Sequence, residues 1–194
     1  MILTRPDILA AHARGDITIE PFDPTLLQPN SVDVRLGQWY YRMNPPPWGP
    51  MQVVGLDVPA REMYGEPVDA AASPSRAILL GPGDRVLAHT EEAIGGQGDV
   101  VAMLEGKSTF GRRFISVHQT AGVGDIGYRS RWTLEIANLS RWPQALHVGE
   151  PIAQVVFYRA SCALAERDEY HGRYRVSPAT WSPLAMLPKE AVRK

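Results

Sequence analysis

The residues best suited to chemistry in this sequence form a stretch of seven that begins at Lys107. It holds two adjacent hydroxyls, Ser108 and Thr109, and three cations. If Ser108 starts a short helical turn, its hydroxyl and the free backbone N–H groups converge where Lys107 and Arg112 flank them, which suits phosphate oxygens. The Walker pattern is not met, because Val101 stands where its first glycine is needed. Phosphate binding and a solvated basic turn are therefore both open from spacing alone.

Two acidic residues follow in settings that suit a ligand. Asp125 lies among glycines in residues 120–128, which indicates either a tight loop with an accessible backbone or an ordinary turn. Glu135 lies in residues 132–138, whose alternation predicts a strand with Leu134 on the opposite face. A lone glutamate on a strand is a solvated surface residue unless its face lines a cavity.

Other catalytic chemistries find little support. His89 and Glu91 have the H-x-E spacing of zinc deaminases, but the P-C-x-x-C partner is missing and Cys162 is the single cysteine. Ser108 and His118 suggest nucleophilic catalysis, but no elbow motif surrounds the serine. The sequence therefore predicts neither a zinc site nor a disulfide framework.

Length and charge narrow the class of protein further. The chain has 194 residues, a formal net charge of -1 and 44% hydrophobic residues, which is typical of one globular domain. A near-zero charge argues against nucleic-acid binding, and no apolar run approaches the ~20 residues that span a bilayer. The first residues lack the basic and apolar pattern of a signal peptide. We therefore expect a cytoplasmic protein that binds neither nucleic acid nor membrane.

The elements that must position these residues are mostly short strands. A helix begins after Thr4 and ends at Gly15. Alternation and turn residues predict strands over residues 31–36, 85–89, 99–104, 114–119, 131–137 and 152–158. Residues 44–50 read as a loop, 61–75 as an irregular excursion, and the polar tail after 160 lacks a core of its own. This pattern is typical of a β-sandwich or barrel.

Four motifs in this order resemble the dCTP deaminase family of the trimeric dUTPase-like superfamily. They are Q-P-N-S-V-D-V-R-L at 28–36 (preceded by P-F-D at 21–23), G-K-S-T-F-G-R at 106–112, T-A-G with D and G-Y at 120–128, and L-E-x-x-N at 134–138. The resemblance extends from the first helix to about Tyr174. It implies a mainly β fold, a distorted β-barrel or jelly-roll (the dUTPase-like β-clip) with a short N-terminal helix. It also implies a single domain over 1–194, with 161–194 as a tail that closes over the site, and a homotrimer with sites between subunits.

The same resemblance implies a zinc-independent deamination of a deoxynucleoside triphosphate, dCTP to dUTP. Glu135 is then the general base, and Ser108 and Arg112 are catalytic residues that hold it and the attacking water. Magnesium comes bound to the triphosphate. The substrate-binding residues implied are Lys107, Ser108, Thr109, Arg112, Thr120, Ala121, Asp125, Glu135, Tyr170 and Arg173.

Departures from the family pattern leave the substrate open. Gly122 resembles the bifunctional branch, which carries dCTP on to dUMP and pyrophosphate. Residues 129–132 put two arginines and a tryptophan near the pocket, and the tail has Arg173 and Ser177 where the family has Lys and Gln. The alternatives are a pyrophosphohydrolase of dUTP or another dNTP, a deaminase of a modified nucleotide, and a catalytically silent nucleotide sensor.

Overall fold

The structure, a computed structural model, describes residues 1–45 and 60–188, apart from the side chains of residues 60 and 61. The helices are α1 (Arg5–Arg14), α2 (Ala60–Met63) and α3 (Ser108–Gly111). The strands are β1 (Ile17–Glu20), β2 (Val32–Arg35), β3 (Trp39–Arg42), β4 (Val68–Asp69), β5 (Ala77–Leu80), β6 (Arg85–Gly96), β7 (Val100–Gly106), β8 (Ile115–Ser116), β9 (Val123–Gly124), β10 (Arg129–Asn138), β11 (Gln144–His147) and β12 (Pro151–Arg159). The predicted mainly β fold is confirmed.

The strands pair in antiparallel fashion in two larger sheets and one separate two-stranded sheet. One sheet has the order β4-β3-β6-β10-β8, with β1 also paired to β6, and the other has the order β2-β12-β7-β9. The remaining pair is β11-β5. Within the described ranges these strands do not close a barrel, so the fold is a distorted version of the predicted one. Apolar side chains from both sheets, among them Val34, Leu134 and Phe157, are fully buried in one core.

The first helix follows the local rules that predicted it. The Asp7 carboxylate accepts a hydrogen bond from the Thr4 N–H at 3.0 Å, which satisfies a backbone donor at the helix start. Gly15 ends the helix with φ of 86°, a left-handed conformation that glycine adopts without strain. Ile8 and Ala11 are buried against the core. This element was predictable because its signals lie within the helix itself.

Several strand predictions need correction. The strand predicted at 85–89 runs on to Gly96, because the charge of the fully buried Glu92 is neutralised by Arg35 at 2.6 Å. The strand predicted at 114–119 shrinks to β8, and the excursion at 61–75 contains α2 and β4. The strands not predicted are β1, β3, β4, β5, β9 and β11. The predicted loop at 44–50 lies mostly outside the described residues.

The polar tail contributes to the packing of the sheet. Met186 is 4% exposed and lies in an apolar cluster with Tyr41, Tyr64 and Leu87. Trp181 packs on the ring of His89, with ring centres 4.3 Å apart. The C-terminal segment is therefore held against the face of β3, β6 and β10. In the described ranges, no helix is long and apolar enough to cross a membrane.

His89 gives the fold a measurable sensitivity to acid. Its ring is 1% exposed, accepts a hydrogen bond from the Trp39 N–H at 3.2 Å and donates one to the Thr90 carbonyl at 2.8 Å, so the neutral form satisfies both nitrogens. Burial, opposed by the Thr90 bond and aided by the charge of Arg131, lowers the pKa of His89 from 6.5 to about 4. The unfolded chain therefore binds this proton at higher pH than the folded one. We expect the free energy of unfolding to fall by on the order of 3 kcal/mol between pH 6.5 and 4 from this group alone.

Urea titrations at a series of pH values test this expectation. His89→Gln replaces the ring with an amide that does not titrate, so its stability should change less steeply between pH 6.5 and 4 than that of the wild type, whatever its absolute value. Equal slopes for the two proteins over this range would contradict the assignment to His89.

Candidate functional site

Strand β10 presents the candidate base to a cavity. Because side chains alternate along a strand, Arg131, Thr133 and Glu135 share one face, opposite the buried Leu134. Glu135 pairs in register with Leu87 of β6. This face borders a cavity of about 490 Å³, which we call the Glu135 cavity. It is lined by Tyr64, Leu87, Ala121, Val123, Asp125, Tyr128, Ser130, Arg131, Trp132, Thr133, Glu135, Tyr170, Tyr174, Ala185, Met186 and Pro188.

Hydrogen bonds from the preceding loop fix the position of Glu135. The Gln119 backbone N–H donates to Oε2 of Glu135 at 3.1 Å. The side-chain amide of Gln119 donates to the Glu135 carbonyl at 3.0 Å and to the Ser116 hydroxyl at 3.2 Å. Burial, and next the charge of Glu135, raise the pKa of the neighbouring Tyr64 phenol. A carboxylate anchored by one donor keeps other lone pairs, so Glu135 can accept a proton from water.

The glycine-rich loop and the tail meet beside Glu135. The Tyr170 N–H donates to the Ile126 carbonyl at 2.7 Å, and the Tyr170 ring packs edge-on against Tyr128 with centres 5.9 Å apart. Gly127 has φ of 93°, and a Cβ there would lie 2.7 Å from the Cβ of Glu169. Only glycine fits that close approach. Four residues that the resemblance assigned to the substrate therefore line one cavity: Ala121, Asp125, Glu135 and Tyr170.

The basic stretch borders a second cavity of about 670 Å³, which we call the Lys107 cavity. The predicted helical turn is present as α3, which starts at Ser108. The Lys107 ammonium pairs with the carboxylate of Asp33, which also accepts a hydrogen bond from the Gln28 amide at 3.2 Å. Asp33 is buried, because its charge is neutralised in this pair. The cavity is lined by Gln28, Pro29, Asn30, Ser31, Asp33, Gly106, Lys107, Ser108, Gly111, Ile115, Ser116, Val117, His118 and Gln154.

The described chain does not bring all the assigned residues together. Lys107 and Ser108 line the Lys107 cavity, whereas Glu135 lines the other. Thr109, Arg112, Thr120 and Arg173 line neither cavity and have exposed side chains. One copy of the described chain therefore holds the candidate base and the candidate phosphate ligands in two separate places.

Sequence reasoning did not assign roles to some residues that shape the Glu135 cavity. Gln119 gave no signal, because its contact to Glu135 is made by a backbone group that every residue carries. Met186 approaches from the end of the chain, so only tertiary structure reveals it. Arg131 had been placed near the pocket from the sequence, as one of the two arginines in residues 129–132, but without a role.

Comparison with known proteins agrees with the fold and the motifs. The sequence pattern of a family described as dCTP deaminase-like matches residues 2–160. A protein named "dCTP deaminase, dUMP-forming" from Methanoculleus marisnigri is 39% identical over 166 residues, covering 84% of this chain and 83% of that protein. The protein of the same name from Methanospirillum hungatei is 39% identical over 169 residues, covering 84% of both.

A solved structure shows the same fold. The 2'-deoxycytidine 5'-triphosphate deaminase from Agrobacterium tumefaciens matches with a TM-score of 0.61 and 23% identity. The match covers 86% of this chain and 50% of that one, so this chain corresponds to half of that protein's length. At this identity the likeness concerns the fold alone.

Proposed function

The chain belongs to the dCTP deaminase-like family, and from that premise we propose that it is a hydrolase that deaminates dCTP and releases pyrophosphate to leave dUMP. The observation that carries this proposal is Glu135, a carboxylate anchored by Gln119 in a cavity shared with Asp125 and Tyr170. The names of the relatives, which include dUMP formation, support the second step. Gly122, which resembles the bifunctional branch, supports it from the sequence.

The proposed deamination uses Glu135 as the base. The oxygen of a water molecule bonds to C4 of cytosine while Glu135 takes one of its protons. Glu135 delivers that proton to N3 and then carries the proton of the new C4 hydroxyl to the amine at C4. The C4–N bond breaks, and ammonia leaves behind a C4 carbonyl. Asp125 holds the deoxyribose 3′-hydroxyl, and the backbone of residues 120–121 contacts the base. Tyr170 borders the same cavity, where burial raises the pKa of its neighbour Tyr128 and keeps that phenol neutral.

The proposed second step breaks the bond between the α- and β-phosphates. The oxygen of a second water bonds to the α-phosphorus, and pyrophosphate leaves with the bridging oxygen. Magnesium comes with the nucleotide and neutralises phosphate charge. Magnesium takes most of its ligands from phosphate and water, so it would be bound mainly by the nucleotide.

The separation of the two cavities supports a site completed by a second copy. We propose a homotrimer in which Lys107, Ser108, Thr109 and Arg112 of one copy complete the Glu135 cavity of the next. Large apolar side chains are exposed near α3, where such a contact would form: Phe114 is 66% exposed and Leu139, bonded to it through the backbone, is 64% exposed. Exposed apolar groups of this size favour burial against a partner.

Incubation of the purified protein with dCTP, dUTP and the other dNTPs plus Mg²⁺, followed by chromatography with mass detection, tests the function. We expect dCTP to give dUMP, ammonia and pyrophosphate. Accumulation of dUTP would restrict the activity to deamination. Conversion of dUTP with dCTP intact would identify a pyrophosphohydrolase and overturn the deaminase. No change in any nucleotide would favour a sensor or a modified substrate.

A further inference from the structure

Arg131 is a cation that has no role in the proposed deamination or in the release of pyrophosphate. It lies on the same face of β10 as Glu135 and lines the Glu135 cavity. Among the described residues around this cavity it is the one cation, and the other charged groups there are the carboxylates of Asp125 and Glu135. Neither carboxylate forms an ion pair with Arg131 in the described ranges. The cavity therefore contains a positive charge that its own acids do not neutralise by contact.

The side chain of Arg131 is held in place by an aromatic ring but, within the described ranges, lacks hydrogen-bond acceptors. Its guanidinium lies over the ring of Trp181, 5.0 Å from the centre, and Trp181 rests on the buried His89. The Nε atom of Arg131 is buried and has no hydrogen-bond partner in the parts of the chain that the structure describes. Stacking uses the face of a guanidinium and leaves the N–H donors at its edge for an oxygen ligand. Because Nε is covered by protein atoms, the two terminal nitrogens are the donors that remain for a ligand.

These observations point to a phosphate. The planar fork of arginine matches the geometry of phosphate oxygens. A negatively charged ligand group is attracted to Arg131, whereas the carboxylates of Asp125 and Glu135 repel it from the rest of the cavity. Arg131 and Glu135 are four residues apart, about 13 Å along an extended strand. A nucleotide with its base at Glu135 can therefore direct its phosphates towards Arg131.

We propose that Arg131 binds a phosphate oxygen of the nucleotide in the Glu135 cavity and so makes this site select nucleotides over nucleosides. This inference rests on the proposed function, because it assumes that the cytosine ring of the nucleotide lies at Glu135. Arg131 would be a phosphate ligand from the same copy as the catalytic Glu135. It would act beside Lys107, Ser108, Thr109 and Arg112 of a neighbouring copy. Trp181 is then a positioning residue, because its ring holds the guanidinium in a fixed orientation.

Calorimetric binding in the Glu135→Gln background tests the proposal without turnover. The ligands are dCTP, dCMP and deoxycytidine, each added to the full chain with Arg131, Arg131→Gln or Arg131→Lys. We expect Arg131→Gln to weaken dCTP binding by about 10- to 100-fold and to leave deoxycytidine binding within about twofold. Arg131→Lys, which keeps the charge and loses the fork, should fall between the two.

Arg129→Gln is the matched control. Arg129 lies on the same face of the same strand but lines a different cavity with Thr18 and Glu20. The Arg129→Gln substitution should therefore leave dCTP binding unchanged. Equal losses for dCTP and deoxycytidine, or an Arg131→Gln protein that binds dCTP like the control, would overturn the proposal. Thermal melts establish that each variant is folded.

The proposed function and the role of Arg131 can fail separately. Turnover of dCTP by the wild type is measured in parallel. If the wild type turns over dCTP and Arg131→Gln binds dCTP with unimpaired affinity, the phosphate contact is rejected and the deaminase function stands. Phosphate-dependent loss of binding without wild-type turnover supports the contact and rejects the deaminase. Absence of any nucleotide binding overturns both.

Discussion

Ammonia release from dCTP should fall by about two to four orders of magnitude in Glu135→Gln, because the variant keeps the shape of the side chain and loses the base. The glutamine oxygen can still accept the hydrogen bond that the Gln119 N–H donates to Glu135 at 3.1 Å. Substrate binding should therefore persist while kcat collapses. Steady-state ammonia assays and calorimetric titration with dCTP measure the two effects independently.

Glu105→Gln provides the control for this substitution. Glu105 is an exposed carboxylate on β7 and lines neither the Glu135 cavity nor the Lys107 cavity. The control removes the same charge from the chain and should keep the wild-type rate. If the Glu135→Gln protein turned over dCTP at the wild-type rate, Glu135 would not be the base.

The sequence predicted those parts of the fold that depend on local signals. The cap at Thr4, the glycine at 15 and the alternation along β10 each operate within one element. The length of β6 was underestimated, because Glu91 and Glu92 interrupt its apolar pattern. Glu92 is buried only because Arg35, 57 positions earlier, donates to it from both its side chain and its backbone. A partner at that distance is invisible to a window of sequence.

The shortening of β8 has a similar cause. Phe114 adopts φ of 59°, outside the range of a strand, and the Ser116 hydroxyl donates to the carbonyl of His118 at 2.8 Å. The chain turns there instead of extending, which brings Gln119 under Glu135. Apolar alternation at 114–119 indicated a strand, and only the turn explains how the base is anchored.

The candidate site was predicted as a set of residues, not as an arrangement. Motif order pointed to Ser108, Asp125 and Glu135, and the structure places the last two in one cavity and the first in another. A sequence does not show which contacts a chain makes with itself and which with another copy. The remaining question about the site is therefore one of assembly.

Mixed oligomers answer that question. Ser108→Ala and Glu135→Gln should each be inactive alone, because each lacks one side of the proposed site. Co-expressed with different tags and purified through both, they form mixed trimers that each have one interface where an intact Ser108 meets an intact Glu135, so activity should return at about one third of the sites. The recovered rate of ammonia release from dCTP, divided by the wild-type rate per site, measures that fraction.

The control for recovery is a chain that carries both substitutions. Mixed with Glu135→Gln, the double variant offers no intact Glu135 and should stay inactive. If the site formed within one chain, mixing the two single variants would restore nothing, because no chain would hold both residues. Recovery in the first mixture and none in the second is expected only when neighbouring copies share a site, since the two cavities of a single copy keep Ser108 apart from Glu135.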